Sequence, residues 1–314
     1  MNSYSTTEMT QTEWLYDRQK GIGGSDVGTI LGLNKWKSPY QLWLEKTGQV
    51  ELDNKETEAI HWGNVLEEVV AKEFQERTGK RVRRRNQVFE HHEYTFLRAN
   101  IDRDVVGENA ILECKTANAF LGKEWEEEEI PQSYLCQVQH YMNVLDRDYA
   151  YIAVLIGGQK FIWKKVERDD DLIKVIQERL VSFWQNNVIN GQEPQIDGSQ
   201  ATADFIKEQY KDEGAEEITL NSHFDDLIES RNQLKESEKS IKTQIRQIDN
   251  QIKNELGKHD AITGITPNHV ISWKAQERIS LDRKALNAKY PEISKDEEIY
   301  KTTTTRVLRE RTIN

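Results

Sequence analysis

The sequence predicts an α/β fold of the α+β kind, with a central mixed β-sheet flanked by helices and a C-terminal appendage of one long helix and a small β element. Segments with apolar residues at helical spacing alternate with short segments rich in β-branched and aromatic residues. Gly191, Pro194 and Gly198 indicate a linker, beyond which the composition changes. We therefore expect one domain over residues 1–198 and an appendage over residues 199–314 that serves oligomerisation or partner binding.

The composition is that of a globular protein. Hydrophobic residues make up 36% and charged residues 31% of the 314 residues, a balance that excludes a chain dominated by disorder. The N-terminus lacks a secretory signal and no apolar stretch reaches membrane-spanning length, so we expect a cytoplasmic protein without membrane contact. Cys114 and Cys136 lack a paired metal-ligand spacing, which argues against zinc and iron–sulfur sites. Cys114 is interpreted as a small buried hydrophobic residue.

Helices and strands of the first domain follow from periodicity and from turn residues. Glycines before Ser25 and Asp26 precede a helix start, and Gly48 ends the next helix. The other predicted helices cover residues 15–20, 39–47, 57–78, 132–145 and 170–187. Strands are predicted at residues 82–89, 96–104, 110–116, 149–156 and 159–166, the last two forming a hairpin.

In the appendage, apolar residues recur at alternating three- and four-residue steps over residues 220–256. This pattern predicts a long coiled-coil-like helix that ends at Gly257. Arg231 and Glu238 interrupt the apolar seam, which leaves open a bent helix or one packed on its own chain. A hairpin at residues 261–265 and 269–274, a short helix at 281–289 and a strand at 303–309 are expected to follow.

The most informative motif is Asp102 followed by Glu113 and Lys115. Residues two apart on a strand project from the same face, so Glu113 and Lys115 lie side by side. A turn at residues 107–109 would return Asp102 toward Glu113. Two carboxylates with one ammonium suit a hard divalent cation such as Mg2+, with the lysine orienting or helping to deprotonate a water. An exposed hairpin of mixed charge is the structural alternative for this short pattern.

Two helices carry polar residues that can join this group. Glu67 lies one turn beyond Gly63 and can add a carboxylate, although a solvated glutamate is the default expectation. Tyr134, Gln137 and Tyr141 share one face of the 132–145 helix and are expected to approach the strand.

The glycine-rich turn after Arg18 forms a candidate anion site. Backbone amides at the helix start, the Ser25 hydroxyl and the Arg18 guanidinium can hold a terminal phosphate. Glycine-rich turns before helices are also common as purely structural features. Similarly, the basic run at residues 80–85 fits either a strip along a phosphate backbone or a solvated edge strand.

Together these motifs resemble the lambda-exonuclease or YqaJ-type viral recombinase family, a branch of the PD-(D/E)XK nuclease superfamily. The resemblance spans most of residues 18–184 and implies a PD-(D/E)XK nuclease core. By this resemblance, Arg18 and Ser25 correspond to the residues that bind the 5′-phosphate, and Glu67 corresponds to the acidic residue of the helix. Tyr134 and Gln137 correspond to the supporting Tyr and Gln. Asp102, Glu113 and Lys115 correspond to the central acid and the Glu-x-Lys motif. Asn100 departs from the family pattern, and its amide can still donate to a phosphate.

The resemblance implies a phage or prophage recombination enzyme that digests one strand of double-stranded DNA from a phosphorylated 5′ end. The remaining 3′ tail would pass to a single-strand annealing protein, and relatives form homo-oligomers, often trimeric rings. The implied hydrolysis uses two Mg2+ ions, for which Mn2+ can substitute. Asp102, Glu113 and the Cys114 backbone carbonyl would hold the shared ion, Glu67 would help hold the second, and Lys115 and Gln137 would position the water. The alternatives are an endonuclease of the same superfamily and a noncatalytic DNA-end or protein-interaction module.

Overall fold

The structure, a computed structural model, describes residues 2–50, 57–125, 129–211, 217–293, 296–299 and 306–310. The chain divides into two compact units, Met1–Tyr210 and Lys211–Asn314.

The first unit contains the helices and strands of the predicted α/β domain. Its helices are α1 (Gln11–Gln19), α2 (Gly24–Ile30), α3 (Pro39–Lys46), α4 (Glu58–Thr78), α5 (Gln132–Leu145), α6 (Asp170–Ser182) and α7 (Gln200–Gln209). Its strands are β1 (Asn2–Ser5), β2 (Val82–Arg84), β3 (Gln87–Glu90), β4 (Arg98–Ala99), β5 (Arg103–Val105), β6 (Ala110–Ala117), β7 (Tyr149–Ile156) and β8 (Lys160–Glu167). A 3-10 helix, Ala119–Trp125, follows β6, and a π-helical segment, Phe183–Ile189, continues α6.

The central sheet has the strand order β2-β5-β6-β7-β8. Strands β6 and β7 are parallel, and the other neighbouring pairs are antiparallel. A parallel pair needs a long crossover, which α5 supplies between β6 and β7. This mixed sheet flanked by helices confirms the predicted fold class.

Strand β6 is covered on both faces, which is why its first five residues are buried. On one face, Leu112 and Cys114 belong to an apolar cluster with Val70 and Phe74 of α4. On the other, Ile111 belongs to the main core, which includes α5. Cys114 is buried in the cluster with α4, as predicted for a small hydrophobic residue.

Two strands that the sequence predicts as continuous are each divided. Residues 82–89 form β2 and β3, which belong to different sheets, since β3 pairs with β1 and β4. The Arg85 side chain, between them, binds the Asp104 carboxylate. The predicted strand at residues 96–104 is interrupted between β4 and β5. At the break, the Asp102 carboxylate accepts a hydrogen bond from the Cys114 backbone N–H at 2.7 Å, beside the paired residues of β5 and β6. A side chain thus replaces a backbone acceptor at this point.

Neither β1 nor α7 was predicted. Polar residues at the N-terminus form β1, which pairs antiparallel with β3. Helix α7 lies where a linker was expected to lead into the appendage, and it belongs to the first unit. Ala201 and Thr202 are buried, and the Phe205 ring lies 6.2 Å from that of Tyr40. The first unit therefore extends past the expected boundary at residue 198.

The second unit contains the predicted long helix, α8 (His223–Lys258), followed by a hairpin of β9 (Thr263–Ile265) and β10 (Val270–Ser272) and the short helix α9 (Arg283–Lys289). The apolar seam of α8 is largely exposed, with Leu234 at 68%. Arg231, which interrupts the seam, pairs with Glu310 at 2.7 Å. The strand expected at 303–309 lies partly outside the described residues, and residues 306–310 form no strand.

Across the described ranges, no helix has both the length and the apolar character needed to cross a membrane.

Candidate active site

Glu113, Lys115 and Gln137 form a closed group between β6 and α5. The Lys115 ammonium donates to Glu113 Oε1 at 2.7 Å and to Gln137 Oε1 at 3.1 Å. Gln137 Nε2 donates to the same Glu113 oxygen at 2.7 Å and contacts the Tyr141 hydroxyl at 3.1 Å. The two-residue spacing on β6 and the helical spacing on α5 predicted this meeting, and both Glu113 and Gln137 are buried.

Asp102 lies beside this group because its carboxylate is bonded to the Cys114 backbone N–H. Burial, followed by repulsion from the Glu113 carboxylate, raises the pKa of Asp102 well above its usual range. Burial alone would lower the pKa of Lys115, but attraction by Glu113 and Asp102 raises it instead. Lys115 is therefore a cation here, suited to orienting a water rather than to accepting its proton.

One carboxylate oxygen of this group has no hydrogen bond from the described residues. Glu113 Oε2 is buried and has no hydrogen-bond partner among the described residues. One ammonium faces two carboxyl groups, so a further cation stabilises their ionised form. Carboxylate oxygens are hard ligands of the kind that Mg2+ prefers, and the Asp102–Glu113 pair with its unsatisfied Glu113 oxygen therefore fits a divalent metal ion.

Glu67 lies near enough to help raise the pKa of Asp102, but its carboxylate contacts arginines. It projects from α4, which covers the opposite face of β6 from α5. Its Oε1 binds Arg103, and it also accepts from Arg84 at 3.0 Å. Within the residues that the structure describes, no three His, Cys, Asp or Glu side chains form a group that could hold one ion. The ligand role of Glu67 stays a prediction.

Arg103 is the residue at this site that sequence reasoning did not identify. Its guanidinium is 3% exposed, contacts Glu67, donates to Glu68 at 2.7 Å and donates to the Asp102 backbone oxygen at 2.7 Å. Its position directly after Asp102 was visible, but an arginine on a short strand carries no signal that it is buried. Arg103 therefore links the α4 glutamates to the Asp102 backbone.

The predicted phosphate-binding residues line one pocket of about 160 Å3 next to the carboxylate group. Arg18, Ser25, Asn100 and Tyr141 all contribute to its wall. Arg18 Nη2 donates to Ser25 Oγ at 2.6 Å, and its guanidinium lies 4.8 Å from the centre of the Trp14 ring. The pocket shares Tyr141 with the Gln137 group, so the two sites adjoin.

The Lys115 ammonium lies 4.9 Å from the centre of the Tyr134 ring. The Trp125 ring stacks on Tyr134 at 5.6 Å and is 2% exposed. Trp125 thus packs against the ring that faces Lys115, and the supporting role of Tyr134 stays a prediction.

The basic run at residues 80–85 is mostly paired within the protein. Lys80 binds Glu108 at 2.5 Å, Arg84 binds Glu67, and Arg83 and Arg85 both face Asp104. Its strand, β2, is an edge strand of the central sheet. This arrangement favours the edge-strand interpretation, because an internally paired cation has less charge to offer a phosphate backbone.

Comparison with known proteins finds a matching family model and a curated relative. Residues 13–148 match the model of the YqaJ-like viral recombinase domain. The uncharacterized protein YqaJ of Bacillus subtilis (strain 168) is 47% identical over 290 residues, which cover 91% of this chain and 90% of the relative.

Solved structures with a similar chain path include the alkaline exonuclease LHK-Exo from Laribacter hongkongensis. It is 19% identical with a TM-score of 0.48, covering 56% of this chain and 92% of its own. The phage related exonuclease from Haemophilus somnus 129PT is 18% identical with a TM-score of 0.42, covering 55% and 96%.

Proposed function

Because the chain belongs to the YqaJ-like viral recombinase domain family, we propose that it is a Mg2+-dependent exonuclease that digests one strand of double-stranded DNA from the 5′ end. The observation that carries this proposal is the buried Asp102–Glu113 pair with Lys115 and Gln137 beside it. Such a group is costly in a core that serves only stability, because buried like charges repel one another.

Each residue of the group has a role that its contacts or the family resemblance support. Asp102 and Glu113 would hold the ion, with the Cys114 carbonyl as a further ligand. A bound divalent ion would activate water and stabilise charge on the phosphate oxygens. Lys115 and Gln137 share the Glu113 oxygen and would orient a water held near it. Glu67, held by Arg103, would contribute to a second ion.

The Arg18 pocket would set the polarity of digestion. An arginine and a hydroxyl 2.6 Å apart offer charge-assisted donors to a terminal phosphate. Because this pocket adjoins the carboxylate group through Tyr141, a 5′-phosphate bound there would leave the nearby phosphodiester bond close to Glu113. Asn100 lines the same pocket and can donate a further hydrogen bond.

The proposal includes a homo-oligomeric ring, of three subunits by family resemblance, and a single-strand annealing protein as recipient of the 3′ tail. Enclosure of DNA by a ring would explain processive digestion by a protein of net charge −11, since a ring retains its substrate without strong electrostatic affinity.

The experiment uses a linear duplex with a 5′-phosphate at one end, a 5′-hydroxyl at the other, and a different label on each strand. We expect the 5′-phosphorylated strand to shorten first, with Mg2+ and not with chelator, while a covalently closed circle is left intact. Cleavage of the circle at a similar rate would point to an endonuclease. Absence of any Mg2+-dependent cleavage would point to a noncatalytic DNA-end module.

A further inference from the structure

Lys46, the last residue of α3, is a buried cation in a helix that the sequence indicates only for packing. Its side chain is 4% exposed. The ammonium donates to the backbone oxygens of Arg18 at 2.6 Å and Gly21 at 2.7 Å, and to Asp26 Oδ2 at 2.7 Å. All three N–H donors of the lysine therefore reach the segment that carries the candidate phosphate site.

Asp26 connects Lys46 to that site. Its Oδ2 accepts from Lys46 and from the Gly23 backbone N–H at 3.0 Å, and its Oδ1 lies 3.8 Å from Arg18 Nη2. The same Arg18 nitrogen donates to Ser25 Oγ. A continuous series of polar contacts thus runs from the core to the pocket, through Lys46, Asp26, Arg18 and Ser25.

The charges along this series of contacts determine what Arg18 can offer a ligand. Asp26 is buried and faces two cations, of which Lys46 is the closer at 2.7 Å and Arg18 the more distant at 3.8 Å. With Lys46 in place, one positive charge remains for a bound anion. Without it, the buried Asp26 carboxylate would have Arg18 as its remaining cation in this series and would draw the guanidinium away from the ligand.

We propose that Lys46 is a positioning residue for 5′-phosphate recognition: it neutralises Asp26 and holds the backbone at residues 18–21, so that Arg18 and Ser25 face the terminal phosphate. This inference rests on the proposed function. It assigns a role in end selectivity to a residue that does not touch the substrate.

The test measures selectivity for the end group in the full-length protein. Binding of a labelled hairpin duplex with a 5′-phosphate is compared with that of its 5′-hydroxyl counterpart in chelator, and the ratio of initial digestion rates is measured with Mg2+. Lys46→Met is expected to lower the preference for 5′-phosphate about tenfold, the worth of one hydrogen bond to a charged group. Lys35→Met is the control, since Lys35 is an exposed lysine paired with Glu124 at 3.2 Å rather than with Asp26; it should keep the full preference.

A double variant separates the electrostatic role from a merely structural one. If Lys46 acts by neutralising Asp26, adding Asp26→Asn to Lys46→Met should restore part of the preference for 5′-phosphate. If Lys46 only supports the structure, the double variant should show a lower preference than Lys46→Met. Lys46→Gln, which keeps N–H donors but no charge, covers the case in which Lys46→Met does not fold. It should also lose the preference.

The outcomes distinguish this inference from the proposed function. A wild-type protein with no preference for 5′-phosphate would overturn the pocket assignment and the role of Lys46, while Mg2+-dependent digestion would still be judged separately. If the wild type prefers 5′-phosphate and a folded Lys46→Met or Lys46→Gln variant keeps that preference in full, the role of Lys46 alone would be overturned. Failure of Asp26→Asn to restore any preference would overturn the charge mechanism.

Discussion

Single side chains around β6 are held by contacts that leave their charges unbalanced. Lys115 donates to Glu113 and Gln137, yet Glu113 Oε2 remains without a hydrogen-bond partner in the described part of the chain. Asp102 adds a second carboxyl group close by, with a pKa raised by burial and by Glu113. These residues are therefore costly for stability and are explained better by a ligand than by packing.

Lys115→Ala tests the role of the ammonium. We expect digestion of linear duplex to fall by about 10²- to 10⁴-fold, because the water loses an orienting group and Glu113 loses its cation. DNA binding in chelator should persist. Lys165→Ala is the control, since Lys165 is bonded to Glu167 on β8, away from the group. Normal Mg2+-dependent digestion by Lys115→Ala would remove the lysine from the mechanism.

His140 gives a pH dependence of stability that is independent of catalysis. Burial lowers its pKa from 6.5 to about 4, and its ring N–H donates to the Arg98 backbone oxygen at 2.9 Å. Both folded and unfolded states are neutral at this residue above pH 6.5. Below pH 6.5, His140 binds a proton in the unfolded chain while it stays neutral in the folded one. The free energy of unfolding therefore falls as the pH drops toward about 4, by roughly 3 kcal/mol in total.

Chemical denaturation at several pH values measures this effect. His140→Gln should have a shallower loss of stability between pH 6.5 and 4 than the wild type. His61→Gln, which alters an exposed histidine on α4, should keep the wild-type slope. Equal slopes for His140→Gln and the wild type would show that His140 is not held neutral.

At the scale of elements, the phosphate pocket depends on how closely α2 packs on α5. A Cβ at Gly24, the first residue of α2, would lie 2.4 Å from the Tyr141 ring. Tyr141 also contacts Gln137 and lines the pocket. The absence of a side chain at Gly24 therefore sets the distance between the two sites.

Gly24→Ala is expected to destabilise the first unit by about 1–3 kcal/mol and to weaken binding of 5′-phosphorylated ends, because α2 or Tyr141 must shift. Gly23→Ala is the matched control. A Cβ there meets the Asp26 carboxylate at 3.9 Å, and the extended backbone accepts any residue, so its cost should stay below about 1 kcal/mol. Similar melting temperatures for the two variants would contradict the close packing.

At the scale of the whole molecule, the first unit ends after α7 rather than before it. Ala201 and Thr202 are buried, and Phe205 packs against Tyr40 of α3. Helix α3 also carries Lys46. Loss of α7 would therefore expose the outer side of the helix that supports the phosphate pocket.

Two truncations test this boundary. A chain of residues 1–210 is expected to fold cooperatively, because it contains its own core. A chain of residues 1–198 should melt about 5 °C lower, since it loses apolar burial worth about 2 kcal/mol. Equal melting temperatures, or failure of residues 1–210 to fold, would contradict this division of the chain.

Elements with a strong period could be predicted well. The bounds of α5 and β7 agree with the predicted ranges 132–145 and 149–156, since each has clear periodicity and a turn at its end. Periodicity did not show where β4 ends and β5 begins, because the break arises when the Asp102 carboxylate takes a backbone bond. Helix α7 was missed because the glycines and proline before it indicate a linker.

By itself the sequence determined that Glu113 and Lys115 share one face of a strand, since alternation along a strand is local geometry. It also determined that Arg18 and Ser25 flank a glycine turn. The tertiary structure alone decided that Glu67 binds Arg103, that Trp125 supports Tyr134, and that Lys46 lies beneath the Arg18 segment. These contacts join residues distant in the chain, and their formation depends on which faces of helices and sheet are buried together.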